Sequence, residues 1–182
     1  MPSRHVDANY RFIAASNELN ARIAQRQQAL AMYITLVLGL LAALVAFRPE
    51  AGQRVPVEWL VLGFPVASLC LVFLNYKAER ALTNLRHFLA TLENLENADG
   101  SVPGYNTDAR WAHDANRARR FHDYTGAMLV VAGNGVALGA LMRIYPNQAS
   151  LDAPVVWITA IVGIGCVIAL LWTSSLSYRP AN

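Results

Sequence analysis

Charge is what this sequence has least of. Only 15% of its 182 residues are charged, where a soluble domain carries about 25%. The deficit is concentrated in Ala29 to Phe47, Trp59 to Tyr76, Tyr124 to Met142 and Ala153 to Tyr178, which hold no Asp, Glu, Lys or Arg over 19, 18, 19 and 26 residues. A helix rises about 1.5 Å per residue, so about 20 apolar residues cross the roughly 30 Å hydrocarbon core of a bilayer. In so short a chain, four buried core helices would lack the amphipathic partners needed to cover them, which excludes an ordinary soluble domain. Cysteine is equally scarce. Cys70 and Cys166 both fall inside apolar runs, which excludes a disulfide framework or a thiolate zinc site. Missing too are a serine elbow, a phosphate-binding glycine loop and a dinucleotide fingerprint. His87, His113 and His122 match no metalloprotease spacing and have no carboxylate cluster beside them. The expectation is a protein that is not an enzyme and has no metal and no cofactor.

What is present describes an all-α, polytopic membrane protein with four transmembrane helices and cytoplasmic helical extensions. The first apolar run follows 28 mostly polar residues, with no small-residue cleavage site, and reads as a retained span rather than a cleaved signal. Basic residues set the orientation. Arg4, Arg11, Arg22, Arg26, then seven between Lys77 and Arg120, and finally Arg179 lie on one side, against Arg48, Arg54 and Arg143 on the other. The positive-inside bias makes the richer side cytoplasmic, with both termini there. The expected organisation is a cytoplasmic N-terminal helix over 1–28, a transmembrane hairpin over 29–76 and a cytoplasmic stalk over 77–123 with a turn at 97–107. A second hairpin follows over 124–174, then a cytoplasmic tail over 175–182.

The flanking segments have helical periodicity of their own. Phe12, Leu19, Ile23 and Leu30 recur at helical steps before the first span. After the second, Ala78, Leu82, Leu85, Leu89, Leu92 and Leu95 form an apolar stripe, with Glu79, Arg80, Arg86, Glu93 and Glu96 assigned to the other face. The short loop from Arg48 to Glu58 makes these two helices antiparallel, so the stripes are expected to pack as a stalk. The run NADGSVPGYNT breaks the pattern, and Asn106, Thr107 or Asp108 is placed to cap the next helix.

Three features invite function. Arg110, His113, Arg117, Arg120 and Tyr124 share one helical face, with Trp111, Arg119, Phe121 and His122 close by. Guanidinium forks suit phosphate and aromatic rings suit bases, so Arg110, Trp111, His113, Arg117, Arg119, Arg120 and Tyr124 form a candidate site for an anionic or nucleotide ligand. The competing reading is a juxtamembrane cluster that meets inner-leaflet lipid, with Asp114 and Asp123 pairing locally. The third span contains Gly126, Gly133, Asn134, Gly135 and Gly139. Its glycines permit close helix approach, and Asn134 needs a partner inside the bundle, across a subunit interface, or along a conduction path. Pro65, within the second span, is a candidate hinge.

The layout of YRFIAASNELNARIAQRQQALAMYITLVLGLLAAL, a short hairpin, and a second span emerging as NYKAERALTNLRHFLATLENL resembles the SLATT-type membrane effectors of bacterial anti-phage systems. That resemblance implies a homo-oligomeric pore in the bacterial inner membrane, controlled by a cytoplasmic nucleotide or oligonucleotide. It also implies a co-encoded nucleotidyltransferase as a possible partner, with membrane lipid around the spans. Four spans in one small chain leave no room for an aqueous path, so conduction would require symmetric assembly. The alternative is a non-conducting interaction protein, either an accessory subunit or an immunity protein.

Overall fold

The computed structural model describes residues 7–47, 57–95, 103–146 and 153–179. These residues are helical with no strand. The order is α1 (Ala8–Ala46), α2 (Val57–Glu93), α3 (Ala109–Ile144), α4 (Pro154–Thr173) and a short 3₁₀ turn, Ser174–Leu176. All four α-helices are long and apolar enough to cross a membrane. At 39, 37 and 36 residues, α1, α2 and α3 run about 58, 55 and 54 Å, nearly twice a hydrocarbon core. Helix α4, with 20 residues, reaches only about 30 Å. The three longer helices therefore carry polar extensions beyond the apolar bundle, and α4 does not. The loop expected from Arg48 to Glu58 lies outside the described residues up to 56, and α2 already begins at Val57; of the turn expected at 97–107, only 103–107 are described.

Capping explains where the helices begin. Asp7 accepts from the backbone N–H of Asn9 at 3.2 Å, and Asp108 accepts from that of Arg110 at 2.9 Å. Of the three candidate caps before α3, Asp108 is the one used, placing an anion at the positive end of the helix dipole. Pro154 opens α4, where its missing N–H costs nothing. Helix α2 runs on through Pro65, whose ring is buried.

Packing is layered. At one end Leu44, Val57, Val61, Leu141, Tyr145, Val155 and Val156 form an apolar cluster, where the Tyr145 hydroxyl donates between the carbonyls of Leu44 and Phe47. The middle layer gathers Tyr33, Val37, Phe64, Leu71, Val130, Cys166 and Leu170. Leu40 fills the notch left by Gly63, where a Cβ would sit 3.0 Å from its methyl carbon. The outer surface of the bundle is apolar, with Trp59 and Trp157 exposed towards one end and Tyr76, Tyr124 and Trp172 towards the other. That is the pattern of aromatic belts at the two faces of a bilayer.

The extensions do not pack as the stripes suggest. In α2 the buried seam is Asn75, Glu79, Leu82, Arg86 and Leu89, while Ala78 and Leu85 are only half-buried beside it and Leu95 is exposed. In α1 the seam runs through Ala15 and Arg26, and Phe12 and Ile23 lie partly exposed at its edge. Glu79 and Arg86, assigned to the solvent side, are thus interior. The seam keeps Leu82 and Leu89 of the apolar stripe and takes Glu79 and Arg86 in place of Ala78 and Leu85. Charge pairing across the helices makes those two replacements tolerable.

The chain end ties the extensions together. Tyr178 is buried with Ala90 and Ala112. Its hydroxyl donates to the Asn106 carbonyl at 2.9 Å, its own carbonyl accepts from Asn116 Nδ2, and its ring meets His87 edge-on. Glu93 completes the clasp by accepting from the Asn106 backbone at 2.9 Å and from its side chain at 2.7 Å. A Cβ on Gly104 would collide with Thr107 Oγ1 and lie 2.6 Å from Glu93 Oε2, so any larger residue would have to displace the Glu93 carboxylate from its place beside Asn106. Tyr178→Phe should leave the Asn106 carbonyl unsatisfied and cost about 1 kcal/mol, a fall of about 2–4 °C in thermal midpoint. Thermal denaturation in detergent measures this, and an unchanged midpoint would contradict the clasp.

A candidate functional site in a buried ionic layer

The most unusual chemistry lies where the apolar bundle gives way to the extensions. Arg26 from α1 is 6% exposed. Its Nε donates to Asn75 Oδ1 at 2.6 Å, its Nη1 meets Glu79 Oε2 at 3.2 Å, and its Nη2 pairs with Asp123 Oδ1. Asp123 also accepts from Asn75 Nδ2 at 2.8 Å. Glu79, 2% exposed, pairs through its other oxygen with Arg119, which is 14% exposed. One guanidinium therefore joins three helices, and one carboxylate joins two guanidiniums.

Each member sits at the end of an apolar run. Arg26 precedes Ala29 by three residues, Glu79 follows Tyr76 by three, and Asp123 adjoins Tyr124. Charges in such places commonly reach outward to the interface; here they turn inward. Burying ions costs several kcal/mol each, and the pairing roughly repays it, so the layer specifies geometry more than it adds stability. Because the partners come from three helices, the layer holds α1, α2 and α3 in fixed register at the base of their extensions.

About two helical turns beyond Glu79 on α2 lies Arg86. It is buried, its side-chain partner is the neutral amide of Asn116, with Nη1 to Oδ1 at 3.4 Å, and no carboxylate pairs with it among the described residues. Burial, and then the neighbouring Arg119 charge, hold its pKa below the usual arginine value.

The residues of the sequence-expected ligand face are distributed differently. Arg110 is exposed and reaches back to Asp108, beside its own helix start. Trp111, His113, Arg117 and Tyr124 point outward, and Arg120 is half-buried. Arg119 departs from that face and turns inward to Glu79. Asp123, expected to pair locally, pairs instead with Arg26 on another helix. The histidines have separate surroundings, with His87 against Tyr178, His113 exposed, and His122 beside the ionic layer. Among the described residues no group of three His, Cys, Asp or Glu is placed to hold a metal ion.

Deeper in the bundle, Asn134 Nδ2 donates to Ser68 Oγ and to the Val130 carbonyl, both at 2.9 Å. Ser68 Oγ also lies 3.3 Å from the Tyr33 hydroxyl, over which Gly133 leaves room. Asn134 is thus tied within its own bundle. Its Oδ1, and Thr159 Oγ1, have no partner and border a cavity of about 250 Å³ between α3 and α4. A Cβ on Gly135 or Gly139 would meet nothing within 4 Å, so these two face outward.

Sequence reasoning missed Arg26, Asn75, Glu79, Arg86 and Asp123. The available signal was position: Arg26, Asn75, Glu79 and Asp123 each lie within a turn of an apolar run's end, and Arg86 follows Glu79 by seven residues on the same helix seam. No family model matches the chain, no curated protein matches it, and no solved structure matches its fold.

Two predictions follow from the layer's charges. Arg26→Ala leaves Glu79 and Asp123 short of a partner in a buried place, and should cost about 3–5 kcal/mol. Arg110→Ala, on the exposed face, should leave the thermal midpoint unchanged; equal effects in detergent denaturation would refute the assignment. His122 is held below its usual pKa of 6.5 by burial and by Arg26, with Asp123 opposing. It also faces Ile23 from α1, Leu82 and Arg86 from α2, and Arg119 on its own helix. The folded chain therefore binds this proton less readily than the unfolded chain, so the contribution is full above about pH 6.5 and is lost as pH falls from there towards the lowered value. His122→Gln should flatten the loss of thermal stability between about pH 7 and about pH 5.5.

Proposed function

We propose that this chain is an effector of the bacterial inner membrane that assembles as a homo-oligomer and conducts ions. Control would come from an anionic, nucleotide-type ligand at the cytoplasmic face. The observation that carries this reading is the ionic layer, in which Arg26, Glu79, Asp123 and Arg119 bind the ends of three apolar helices to the extensions above them. An event that shifts one extension must shift the others and the spans they continue into, because breaking the layer leaves a buried charge unpaired. Ligand control of a pore needs such rigid transmission.

The outward-facing Gly135 and Gly139 on α3 support assembly, since small residues allow another helix to approach closely. The resemblance to SLATT-type effectors supports a role in anti-phage defence, with a co-encoded nucleotidyltransferase as the source of ligand. A pore built from this chain would be largely apolar, because Tyr33, Ser68 and Asn134 are committed to one another inside each bundle. Hydrophobic constrictions that gate by dewetting have this character. The same commitment favours the second reading, a non-conducting accessory or immunity protein.

Gly139→Phe separates assembly from folding. It should leave the thermal midpoint of the chain unchanged, since the added ring meets open space, and should reduce the oligomer recovered by cross-linking in membranes. Dye release from liposomes reports conduction. Purified protein that releases no dye, with or without cytoplasmic nucleotides, would remove the pore reading and leave the interaction protein.

A further inference from the structure

A cavity of about 290 Å³ opens beside the ionic layer, lined by Ile23, Arg26, Leu82, Arg86, Arg119 and His122 among others. We infer that this cavity binds a small anion of the phosphate class, held by the guanidiniums of Arg86 and Arg119. Two independent observations lead there.

The first is unsatisfied donors. Arg119 spends one nitrogen on Glu79, while its Nε and Nη1 are buried with no hydrogen-bond partner. Guanidinium donors in that condition are rare, because each costs the full desolvation penalty. Nε and Nη1 flank the Nη2 that holds Glu79, so each can donate singly to an oxygen of a bound anion while the ion pair stays in place.

The second is unbalanced charge. Three guanidiniums, Arg26, Arg86 and Arg119, stand against two carboxylates, Glu79 and Asp123. Both carboxylates are engaged by Arg26 and Arg119, which leaves Arg86 with no paired carboxylate among the described residues and Glu79 acting on it only from beyond pairing distance. Water in the cavity would satisfy the donors of Arg119 and would leave that charge uncompensated; a monoanion satisfies both. Neutral His122 adds a ring nitrogen able to donate or accept beside the ligand.

Size narrows the class. Ligand pockets for drug-sized molecules span about 300–1,000 Å³, so this one suits a phosphate, a phosphomonoester or a single lipid phosphoryl group, and not an oligonucleotide. The inference deepens the ligand-controlled reading above. Its test measures binding alone, so a chain that binds the anion and never conducts would defeat that reading and spare this one.

The test uses the full chain, purified in detergent and stripped of phosphate and lipid, then titrated calorimetrically with inorganic phosphate against chloride at equal ionic strength. The expected result is one saturable phosphate site per chain and a raised thermal midpoint. Arg86→Lys keeps the charge and loses the fork, so it should fold and weaken phosphate affinity about tenfold or more. Arg119→Gln should abolish binding; since it also releases Glu79, His122→Gln, which spares every ion pair, serves as the second probe and should weaken binding by a smaller factor. Native mass spectrometry from nanodiscs with and without phosphatidylglycerol identifies the source. A lipid adduct that is lost in Arg86→Lys and competed by phosphate assigns the site to a headgroup, and phosphate binding without an adduct assigns it to a soluble anion. Wild-type protein that shows neither phosphate binding nor an Arg86-dependent lipid adduct overturns the inference, as does phosphate binding that both Arg86→Lys and His122→Gln leave unchanged.

Discussion

A buried guanidinium has few permissible surroundings, and Arg26 has found one of them. Its donors are met by Asn75, Glu79 and Asp123, residues 49, 53 and 97 positions away in the chain. Remove any helix from this arrangement and an ion is stranded in a place where stranding costs several kcal/mol. The register of α1 against α2 and α3 depends on that fact. So does the direction in which the extensions leave the apolar bundle.

Above and below this layer the stabilising physics changes. Towards one end the helices meet through apolar clusters around Phe64, Leu44 and Val61, with Leu40 seated over Gly63. In lipid such contacts gain little from the hydrophobic effect and rely on close fit, which the small residues provide. Towards the other end, among the polar extensions, the chain is closed by hydrogen bonds around Tyr178 and Asn106. A layer of ions therefore stands between a packing-held bundle and a hydrogen-bonded clasp, and couples them mechanically.

That coupling makes a cavity beside the layer consequential. An anion gripped by Arg119 would draw on the same guanidinium that holds Glu79, and through Glu79 on Arg26. Binding chemistry and helix register then share atoms. The outward residues Arg117 and Tyr124 have no such linkage; their positions suit contact with headgroups at the bilayer surface.

Sequence alone determined the helical class, the four apolar helices, the long continuations of three of them and the set of residues able to cap α3, because these follow from runs of uncharged residues and from local periodicity. It left Asn134 open between several roles, set Glu79 and Arg86 on the solvent face and paired Asp123 locally, because a charge with no partner in the local window reads as exposed. Only the tertiary structure decided otherwise. Whether a charged side chain can be buried depends on partners from other helices, and Arg26, Glu79, Asp123 and Arg119 are paired through contacts that no local window contains. The apolar stripe of α2 held Leu82 and Leu89 of the true seam and missed Glu79 and Arg86 for the same reason. Periodicity ranks faces by hydrophobicity, whereas packing chose the face on which the charges could meet.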